Sequence, residues 1–377
     1  MAFLSCVLVA DESNQAASPP VPNFSPGPEY SDTARMWQGI PGIERATNGR
    51  LWATWYGGGT GEDKYNYIMV VTSGDDGRTW SPLKFVIDPD RDGPVRAFDP
   101  CLWHDPSGKL WLFWAQRGES VPQLFAMTAN DSASADTKWS GPHRIADGIM
   151  MNKPLACANG DWLLPTAIWK RELSSRVVRS TDRGASWNLL GAATIPKPDD
   201  WNCDENMIVQ RKDNSLWMLV RTRYGIGETS STDGGKVWGD VSPSTIPHVA
   251  SRFFIRRLQS GKLLLVRHNP PDNKTRSHLS AYVSADDGKS WQGGLMIDDR
   301  KGVSYPDAVE GPTGQIRLIY DFDRVREKYI YMAAFSEQDV LRGQPSESTR
   351  LRVVINHATG VNTKTAKTKA KKAEPAK

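Results

Sequence analysis

The most regular feature of this chain is a short apolar run that follows a turn residue. Six such runs lie at residues 49–52, 108–114, 160–164, 214–220, 261–266 and 314–320. Each begins with Gly or Asn, and Leu, Trp or Ile follows two residues later. Gly and Asn tolerate the positive φ of a tight turn, and a short apolar run bounded by turn residues fits a buried strand. The pattern therefore predicts six hairpins, each leading into a buried strand.

A second pattern, Ser-x-Asp-x-Gly-x-x-Trp, occurs four times in phase with the first, at residues 73–80, 180–187, 231–238 and 284–291. The last three copies are spaced by 51 and 53 residues, and the first gap, 107 residues, is about twice as long. A worn copy, Thr128-Ala-Asn130 leading to Trp139, lies inside that gap. Repetition at this period indicates a modular array.

We interpret this turn motif as structural. Its aspartates are Asp75, Asp182, Asp233 and Asp286. The Ser and Asp side chains can satisfy backbone N–H groups of a tight hairpin, the Gly can adopt the left-handed conformation, and the Trp can pack into the sheet. None of these roles needs a substrate, so the motif indicates an architecture and not catalysis.

Together the two repeats predict an all-β fold, a six-bladed β-propeller of four-stranded antiparallel blades, because each repeat has room for about four strands. A closed ring leaves only short, protected edges. We expect one propeller domain over residues 30–345, closed by pairing of the N-terminal strand beside the last blade. A hydrophobic content of 39% and fifteen Trp residues supply a large core.

The two ends of the sequence differ from the repeats in composition. Residues 1–10, MAFLSCVLVA, resemble the end of a secretory leader, with an unstructured N-terminus as the alternative. Their apolar run is too short to span a bilayer, so we expect a secreted or periplasmic protein without a membrane span. Residues 11–29 are typical of a Ser/Pro-rich linker, and residues 346–377 of a basic, disordered tail.

The charge and the cysteines exclude several partners. The formal net charge is +4, but residues 361–377 alone carry six Lys and one Glu, which leaves the rest of the chain near −1. No basic face therefore supports nucleic-acid binding. The four cysteines are widely spaced and include no CxxC pair. If Cys6 leaves with the leader, we expect three buried thiols, no metal site and no cofactor.

Residues 204–221 resemble a blade of the sialidase superfamily, whose propellers carry the Ser-Asp-Gly-Trp motif as an Asp box. In that family an Asn/Glu pair opens one strand and an Arg ends the next. Here Glu205 and Arg221 are sixteen residues apart across a hairpin, which puts both at the same end of adjacent strands. One blade later, Arg276 follows an Asn-Pro loop and precedes an Asp box, as a family Arg does. Two guanidinium groups from neighbouring blades can bind one carboxylate.

The resemblance also implies a catalytic pair. The stretch Ser304-Tyr305-Pro306 is similar to the family strand that bears a Tyr nucleophile, with Glu205 in the place of its base. A Tyr titrates near 10, so it needs a neighbouring carboxylate to take its proton. Sialidases are an exception to the two-carboxylate rule of glycosidases. The resemblance implies an exo-acting glycoside hydrolase that removes a terminal acidic sugar, such as sialic acid, from glycans with retention.

Further site positions follow from the same resemblance. Asp99, preceded by Arg96, matches an Asp-Pro strand start whose Asp contacts substrate in the family. The family's general acid is an Asp in the first-blade loop, where this chain offers Asp63 as first choice and Glu62 as second. Lys153 opens the third blade and is a candidate for substrate binding, although a lone Lys is also typical of a solvated strand end.

The first blade departs from the family pattern. Sialidases begin it with Arg-Ile-Pro, and that Arg is the third member of the carboxylate clamp. This chain has Gly39-Ile-Pro instead. Arg35, Arg45 or Arg96 could supply a substitute; otherwise the clamp has two arginines and the sugar is another acid.

Two other functions remain open. The first is a hydrolase or lyase on a uronic-acid glycan, for which His104, His248, His268 and His278 offer bases. A His within reach of Arg221 and Arg276 would favour the lyase. The second is a non-catalytic glycan-binding propeller. A distance between Tyr305 and Glu205 greater than one water molecule can bridge would favour it. The sugar, the linkage and the oligomeric state are open at this stage.

Overall fold

The computed structural model describes residues 18–91, 93–118, 121–168 and 172–361. These residues form six separate sheets, each of four antiparallel strands in sequence order. The prediction of a six-bladed β-propeller is confirmed. The leader-like residues 1–10 and the second half of the basic tail lie outside the described residues, as does the first part of the linker.

The strands are numbered in chain order, four to a blade. Blade 1 contains β1 (Trp37–Arg45), β2 (Leu51–Gly58), β3 (Tyr67–Ser73) and β4 (Phe85–Ile87), and blade 2 contains β5 (Arg96–His104), β6 (Leu110–Arg117), β7 (Gln123–Ala129) and β8 (His143–Asp147). Blade 3 contains β9 (Leu155–Ala156), β10 (Trp162–Ala167), β11 (Ser174–Ser180) and β12 (Asn188–Thr194), and blade 4 contains β13 (Trp201–Gln210), β14 (Leu216–Thr222), β15 (Gly225–Ser231) and β16 (Ser242–Pro243). Blade 5 contains β17 (Phe254–Arg257), β18 (Leu263–His268), β19 (Leu279–Ser284) and β20 (Gln292–Asp298), and blade 6 contains β21 (Val303–Glu310), β22 (Gln315–Phe322), β23 (Tyr329–Ser336) and β24 (Arg350–His357). One helix, α1 (Glu337–Arg342), and two single 3-10 turns, Pro28–Tyr30 and Pro198–Asp200, complete the described elements.

Both sequence repeats have a fixed place in a blade. Each turn-plus-apolar-run copy opens the second strand of a blade, and the turn residue has a positive φ, as at Asn214 (67°) and Gly261 (79°). Each Ser-Asp-Gly-Trp copy joins the third strand to the fourth. In blade 6, α1 takes the place of that turn.

The turn motif is held by its own side chains. In blade 3, Ser180 Oγ donates to Asp182 Oδ1 (2.8 Å) and accepts from the Gly184 N–H (2.8 Å), while the Ser186 N–H donates to Asp182 Oδ1 (2.9 Å). The same bonds recur at the other three copies. The Ser and Asp groups are therefore occupied within the turn.

The first strands of the blades contact one another around the axis, and those of blades 1, 2 and 6 share a bulge. In β1, β5 and β21 the pairing register shifts next to an X-Pro step, and the residue before the proline has a positive φ: 57° at Ile40, 50° at Asp99 and 54° at Tyr305. Proline has no N–H for the ladder, so a bulge is where a sheet accepts it. Tyr305 and Asp99 thus occupy equivalent positions on different blades.

Buried charges fill the middle of the propeller. Lys153 Nζ donates to the carbonyls of Ile43 and Leu102 (2.7 Å each) and lies 3.4 Å from Glu44 Oε2 and 3.2 Å from Asp307 Oδ2. Burial alone would raise the pKa of Glu44, but Lys153, His104 and Arg256 together outweigh burial and lower that pKa to about 2. A paired ion set of this kind fixes the first three blades and the last one to each other.

Two expectations about the limits of the ring need correction. The N-terminal strand pairs within blade 1, so ring closure by its pairing with the last blade is wrong. The fourth strand of blade 6 is Arg350–His357, so the sheet extends beyond the predicted boundary at residue 345, because α1 precedes that outer strand. The chain ends meet instead through side chains and single bonds, such as Arg35 Nη2 to Asn356 Oδ1 (3.0 Å) and the Thr359 N–H to the Asp32 carbonyl (2.8 Å).

Three cysteines are described, and none of them forms a disulfide with another described cysteine. Cys101 is buried as expected, whereas Cys157 and Cys203 are only half-buried. Within the described ranges, no cluster of three or more His, Cys, Asp or Glu side chains could hold a metal ion. None of the described helices has the length and apolar character needed to cross a membrane.

The contact between the motif glycines and neighbouring tryptophans can be tested in blade 5. A Cβ at Gly288 (φ 89°) would lie 2.4 Å from Trp217 Cζ3, whereas a Cβ at Gly261 (φ 79°) would meet no atom within 4 Å. We expect Gly261→Ala to lower the free energy of unfolding by about 1–2 kcal/mol, because alanine disfavours the positive φ at this position. Gly288→Ala should lower it by about 1–3 kcal/mol more, because Trp217 must move. Urea unfolding of both variants measures the difference, and equal losses would show that the tryptophan contact is immaterial.

Candidate active site

Tyr305, Glu205 and Arg221 meet in one hydrogen-bonded group at the mouth where the inner strands begin. The Tyr305 hydroxyl donates to Glu205 Oε1 (2.7 Å), and Arg221 Nη1 donates to the same oxygen (2.7 Å). The Arg221 Nη1 to Tyr305 Oη distance is 3.1 Å. All three side chains are buried, and Glu205 Oε2 has no hydrogen-bond partner among the described residues. The bulge in β21 and the start of β13 bring these groups together from blades 6 and 4.

The charges of this group are set by the arginine. Burial would raise the pKa of Glu205, but Arg221 beside it and its hydrogen bonds outweigh burial and lower that pKa. Burial and the nearby Glu205 raise the pKa of Tyr305. Glu205 is therefore an ionised acceptor that holds the proton donor Tyr305 in place. The arrangement can move a proton from the phenol to the carboxylate when the phenol oxygen forms a bond elsewhere.

Arg276 lies on the next blade beside the same tyrosine. It follows β18, and its guanidinium carbon lies 5.8 Å from the centroid of the Tyr305 ring. Arg276 Nη1 donates to Ser304 Oγ (3.2 Å) and Nη2 to the Ala250 carbonyl (3.3 Å). These two neutral partners fix the guanidinium without neutralising its charge.

The sequence reasoning missed Arg324. This residue lies in the loop between β22 and β23, and its guanidinium carbon is 4.7 Å from the centroid of the Tyr305 ring. It forms ion pairs with Glu62 (2.9 Å) and Asp321 (3.6 Å). Burial disfavours its charge, but Asp321, Tyr305 and Glu62 more than compensate and raise its pKa. A third cation therefore lies beside the tyrosine.

A positional rule could have found it. Arg221 is the sixth residue of β14, Arg276 follows β18, and Arg324 follows β22. Arg221 lies at the end of the second strand of its blade, and Arg276 and Arg324 lie in the loops that join the second strand to the third, on three successive blades. In a propeller the ends of equivalent strands reach the same mouth. An arginine at the equivalent place on the next blade, Arg324, is therefore expected near Arg221 and Arg276.

The first-blade loop places Glu62 and Asp63 differently. Glu62 bonds to Arg324 and so connects the loop to the tyrosine group. Both oxygens of Asp63 accept backbone N–H groups of their own loop, Oδ2 from Thr60 (3.0 Å) and Oδ1 from Tyr65 (3.0 Å). Asp63 shapes the loop, and Glu62 is the carboxyl that faces the arginine.

Asp99 is fully buried, and neither of its oxygens has a hydrogen-bond partner among the described residues. Burial and the nearby carboxylates of Glu62 and Glu205 raise its pKa to about 8, against the opposing influence of Arg96 and Arg252. Arg96 lies at the start of the same strand and donates to Asn66 Oδ1 (3.1 Å). Asp99 is therefore a largely protonated carboxyl at neutral pH.

Several predicted residues lie elsewhere. The donors of Lys153 are taken up in the central ion network described above. Arg35 is fully buried and bonds to Gln38 and the Tyr30 carbonyl, and Arg45 lies at the far end of β1 beside Gly311. Neither arginine reaches the tyrosine group. They therefore do not replace the arginine that the sialidase pattern has where this chain has Gly39.

Two histidines pack behind the arginines. His248 and His268 stack with ring centroids 5.4 Å apart, and each bonds through Nε2 to a backbone carbonyl, of Ser251 and Val303. Burial lowers both pKa values, that of His248 to about 4. His104 bonds to Ser132, and His278 to its neighbour Ser277. No hydrogen bond between these rings and Arg221 or Arg276 occurs in the described ranges.

A cavity of about 580 Å³ opens at the other mouth of the channel. It is lined by residues at the C-terminal ends of the inner strands, among them Gln210 and Arg257. Since Tyr305 and Glu205 lie near the beginnings of their strands, this cavity is at the opposite end from the tyrosine. The candidate site is therefore at the mouth that holds Tyr305, outside this cavity.

The fold is a propeller of the kind found in sialidases. The chain belongs to the BNR repeat-like domain family, whose model matches residues 49–318.

Three solved structures illustrate the likeness in fold. A Hadza microbial sialidase superposes with a TM-score of 0.66 at 17% identity, over 81% of this chain and 66% of that one. The intramolecular trans-sialidase from Ruminococcus gnavus, in complex with oseltamivir carboxylate, gives 0.65 at 16% identity, over 83% and 97%. A protein of unknown function from Dyadobacter fermentans gives 0.61 at 17% identity, over 76% and 91%.

The chain spans just under two thirds of the length of the Hadza sialidase. A search of curated proteins finds no match for this sequence.

The state of Asp99 can be tested through stability. Its pKa in the folded protein is about 8, far above the roughly 3.9 of an unfolded Asp, so the wild type loses stability as pH rises from about 4 to 8. An asparagine does not ionise. We therefore expect Asp99→Asn to gain more than about 2 kcal/mol relative to the wild type between pH 4 and pH 8. Urea unfolding at several pH values measures this gain, and parallel curves for the two proteins would contradict the buried, neutral Asp99.

Proposed function

We propose that this protein is a glycoside hydrolase that removes a terminal acidic sugar, sialic acid or a related sugar, from glycans with retention of configuration. It would act outside the cytoplasm, where a leader such as residues 1–10 would direct it. The observation that carries the proposal is the 2.7 Å hydrogen bond from Tyr305 to the ionised Glu205. A phenol and an ionised carboxylate are in direct contact, as a nucleophile and its base would be, and cations surround them.

In the first step the Tyr305 oxygen forms a bond to the anomeric carbon while the bond from that carbon to the leaving oxygen breaks. The phenol proton passes to Glu205. In the second step water attacks the anomeric carbon and gives its proton to the carboxylate that protonated the leaving oxygen, while the bond to Tyr305 breaks and Glu205 returns the proton to the phenol oxygen. Two displacements give retention.

A neutral nucleophile suits an anionic substrate. An attacking carboxylate would repel a sugar acid, whereas a phenol remains uncharged until it reacts. Arg221 and Arg276 flank Tyr305, and Arg276 has only neutral partners among the described residues, so it can bind a sugar carboxylate at little cost in lost ion pairs.

The leaving oxygen needs a proton. The first-blade loop supplies Asp63 or Glu62 for this role, and the geometry favours Glu62 because it bonds to Arg324 beside the tyrosine. Asp99, with a pKa of about 8, is suited to donate a hydrogen bond to a substrate hydroxyl or carbonyl.

The direct contact of Tyr305 and Glu205 argues against a binding protein without turnover. His248 and His268 argue against a lyase, since both rings are held by Nε2 bonds to backbone carbonyls and form no hydrogen bond with Arg221 or Arg276 among the described residues. Hydrolysis of a uronic-acid glycoside uses the same arginines and stays the second candidate.

The test is a panel of aryl glycosides of sialic acid, 2-keto-3-deoxynononic acid, glucuronic acid and galacturonic acid. We expect turnover of one of the two nononic acids, with the anomer of the first-formed product, seen by NMR, identical to that of the substrate. A 2,3-difluoro analogue of the same sugar should leave a covalent adduct, and peptide mass spectrometry should locate it on Tyr305. An inverted product would exclude the double displacement.

We expect Tyr305→Phe to lower kcat by about 10³-fold or more, because the attacking oxygen is absent. The dissociation constant of the sugar acid should stay within about threefold of the wild-type value, since the arginines remain. Tyr282→Phe, on an outer part of blade 5, is the matched control. Undiminished kcat in Tyr305→Phe would remove the proposed mechanism.

A further inference from the structure

Gly39 raises a question that the fold alone does not answer. It lies in the inner strand β1, and its backbone is not in the positive-φ region that requires glycine. A Cβ at this position would lie 2.1 Å from Cδ and 2.6 Å from Cγ of Arg324, and 2.9 Å from Asp321 Oδ2. The space beside Gly39 is therefore taken by the side chain of an arginine from another blade.

We propose that Arg324 is the third carboxylate-binding arginine of this site, and that Gly39 is a glycine because Arg324 fills the space of its side chain. Blade 6 supplies the guanidinium that blade 1 lacks. This inference rests on the proposed function, since it concerns the carboxylate of the same sugar. With Arg221 and Arg276, Arg324 places a third cation around Tyr305.

The partners of Arg324 show how a ligand would bind. Asp321 is fully buried and is fixed by the Ile40 N–H (2.8 Å), so it stays in place. The Glu62 side chain is 42% exposed and belongs to a surface loop. A sugar carboxylate can therefore displace Glu62 from Arg324 but not Asp321.

Arg324 also has a close comparison residue. Arg326, two positions further along the same loop, is 84% exposed and pairs with Asp323. Both arginines carry the same charge on the same loop, and only Arg324 contacts the tyrosine. Any effect of general loop charge will appear in both.

The first experiment exchanges the residues at positions 39 and 324. Gly39→Arg should weaken binding of the sugar acid and lower the melting temperature, because its side chain collides with Arg324. Arg324→Gly should weaken binding without that collision. The double variant Gly39→Arg/Arg324→Gly should recover both stability and binding relative to Gly39→Arg, since one arginine again fills one space. A double variant no better than Gly39→Arg in either measurement would overturn the proposal.

The second experiment measures the charge contact directly, in the Tyr305→Phe background so that the ligand is not consumed. The probes are the four free sugar acids of the panel and their methyl esters, titrated by calorimetry. Arg324→Gln should weaken binding of the acid by about ten- to a hundred-fold, the loss of one charge-assisted hydrogen bond, and leave ester binding within about threefold. Arg326→Gln should change neither.

The outcomes separate this inference from the proposed function. Equal acid binding with and without Arg324 overturns the third arginine and leaves the hydrolase proposal intact. Loss of acid and ester binding alike assigns Arg324 a structural role and overturns the inference. Acid binding that depends on Arg324, together with no turnover in the wild type, retains the clamp and overturns the hydrolase. No binding of any of the four acids overturns both.

Discussion

The convergence of six inner strands on one axis is the constraint on which this structure depends. The strands begin at one mouth of the channel and end at the other, so polar residues near their ends are driven together in space with little water to solvate them. Unpaired buried charge is costly, and these charges are accordingly paired. In the middle, Lys153 is held between Glu44 and Asp307. At the mouth, Glu205 is held between Arg221 and Tyr305.

The ion network around Lys153 and the group around Tyr305 differ in how completely their charges are paired. The ammonium of Lys153 contacts two carbonyls and two carboxylates, which leaves no donor for a ligand. At the mouth, Arg276 has neutral partners and Arg324 shares an exposed Glu62. Cations outnumber firmly held carboxylates there, and an anionic ligand would correct the imbalance. This surplus of charge is the physical difference between the candidate site and the structural ion network.

The bulges connect the fold to the chemistry. An X-Pro step shifts the register of β1, β5 and β21 at the same height, and it gives Ile40, Asp99 and Tyr305 the same positive φ. The same bulge therefore presents an apolar side chain on blade 1, a carboxyl on blade 2 and a phenol on blade 6. Blade 1 holds an apolar residue there, and next to it Gly39 leaves room for a side chain from blade 6. A repeat fold can therefore move a functional group from one blade to another while the scaffold stays the same.

The sequence by itself determined the number of blades, because the turn-plus-apolar-run and Ser-Asp-Gly-Trp repeats encode local hairpins whose hydrogen bonds lie within a few residues. It also pointed to Glu205 and Arg221, whose spacing across one hairpin places them at the same end of adjacent strands, and the resemblance to sialidase blades added Arg276 and Tyr305. Only the tertiary structure decided which arginine fills the space at Gly39. Arg324 is 285 positions away in sequence, and its proximity depends on the contact between the first and last blades at the closure of the ring. Lys153 shows the reverse, since whether a lysine at a strand end faces solvent or the buried axis depends on carboxylates contributed by other blades, which no local pattern records.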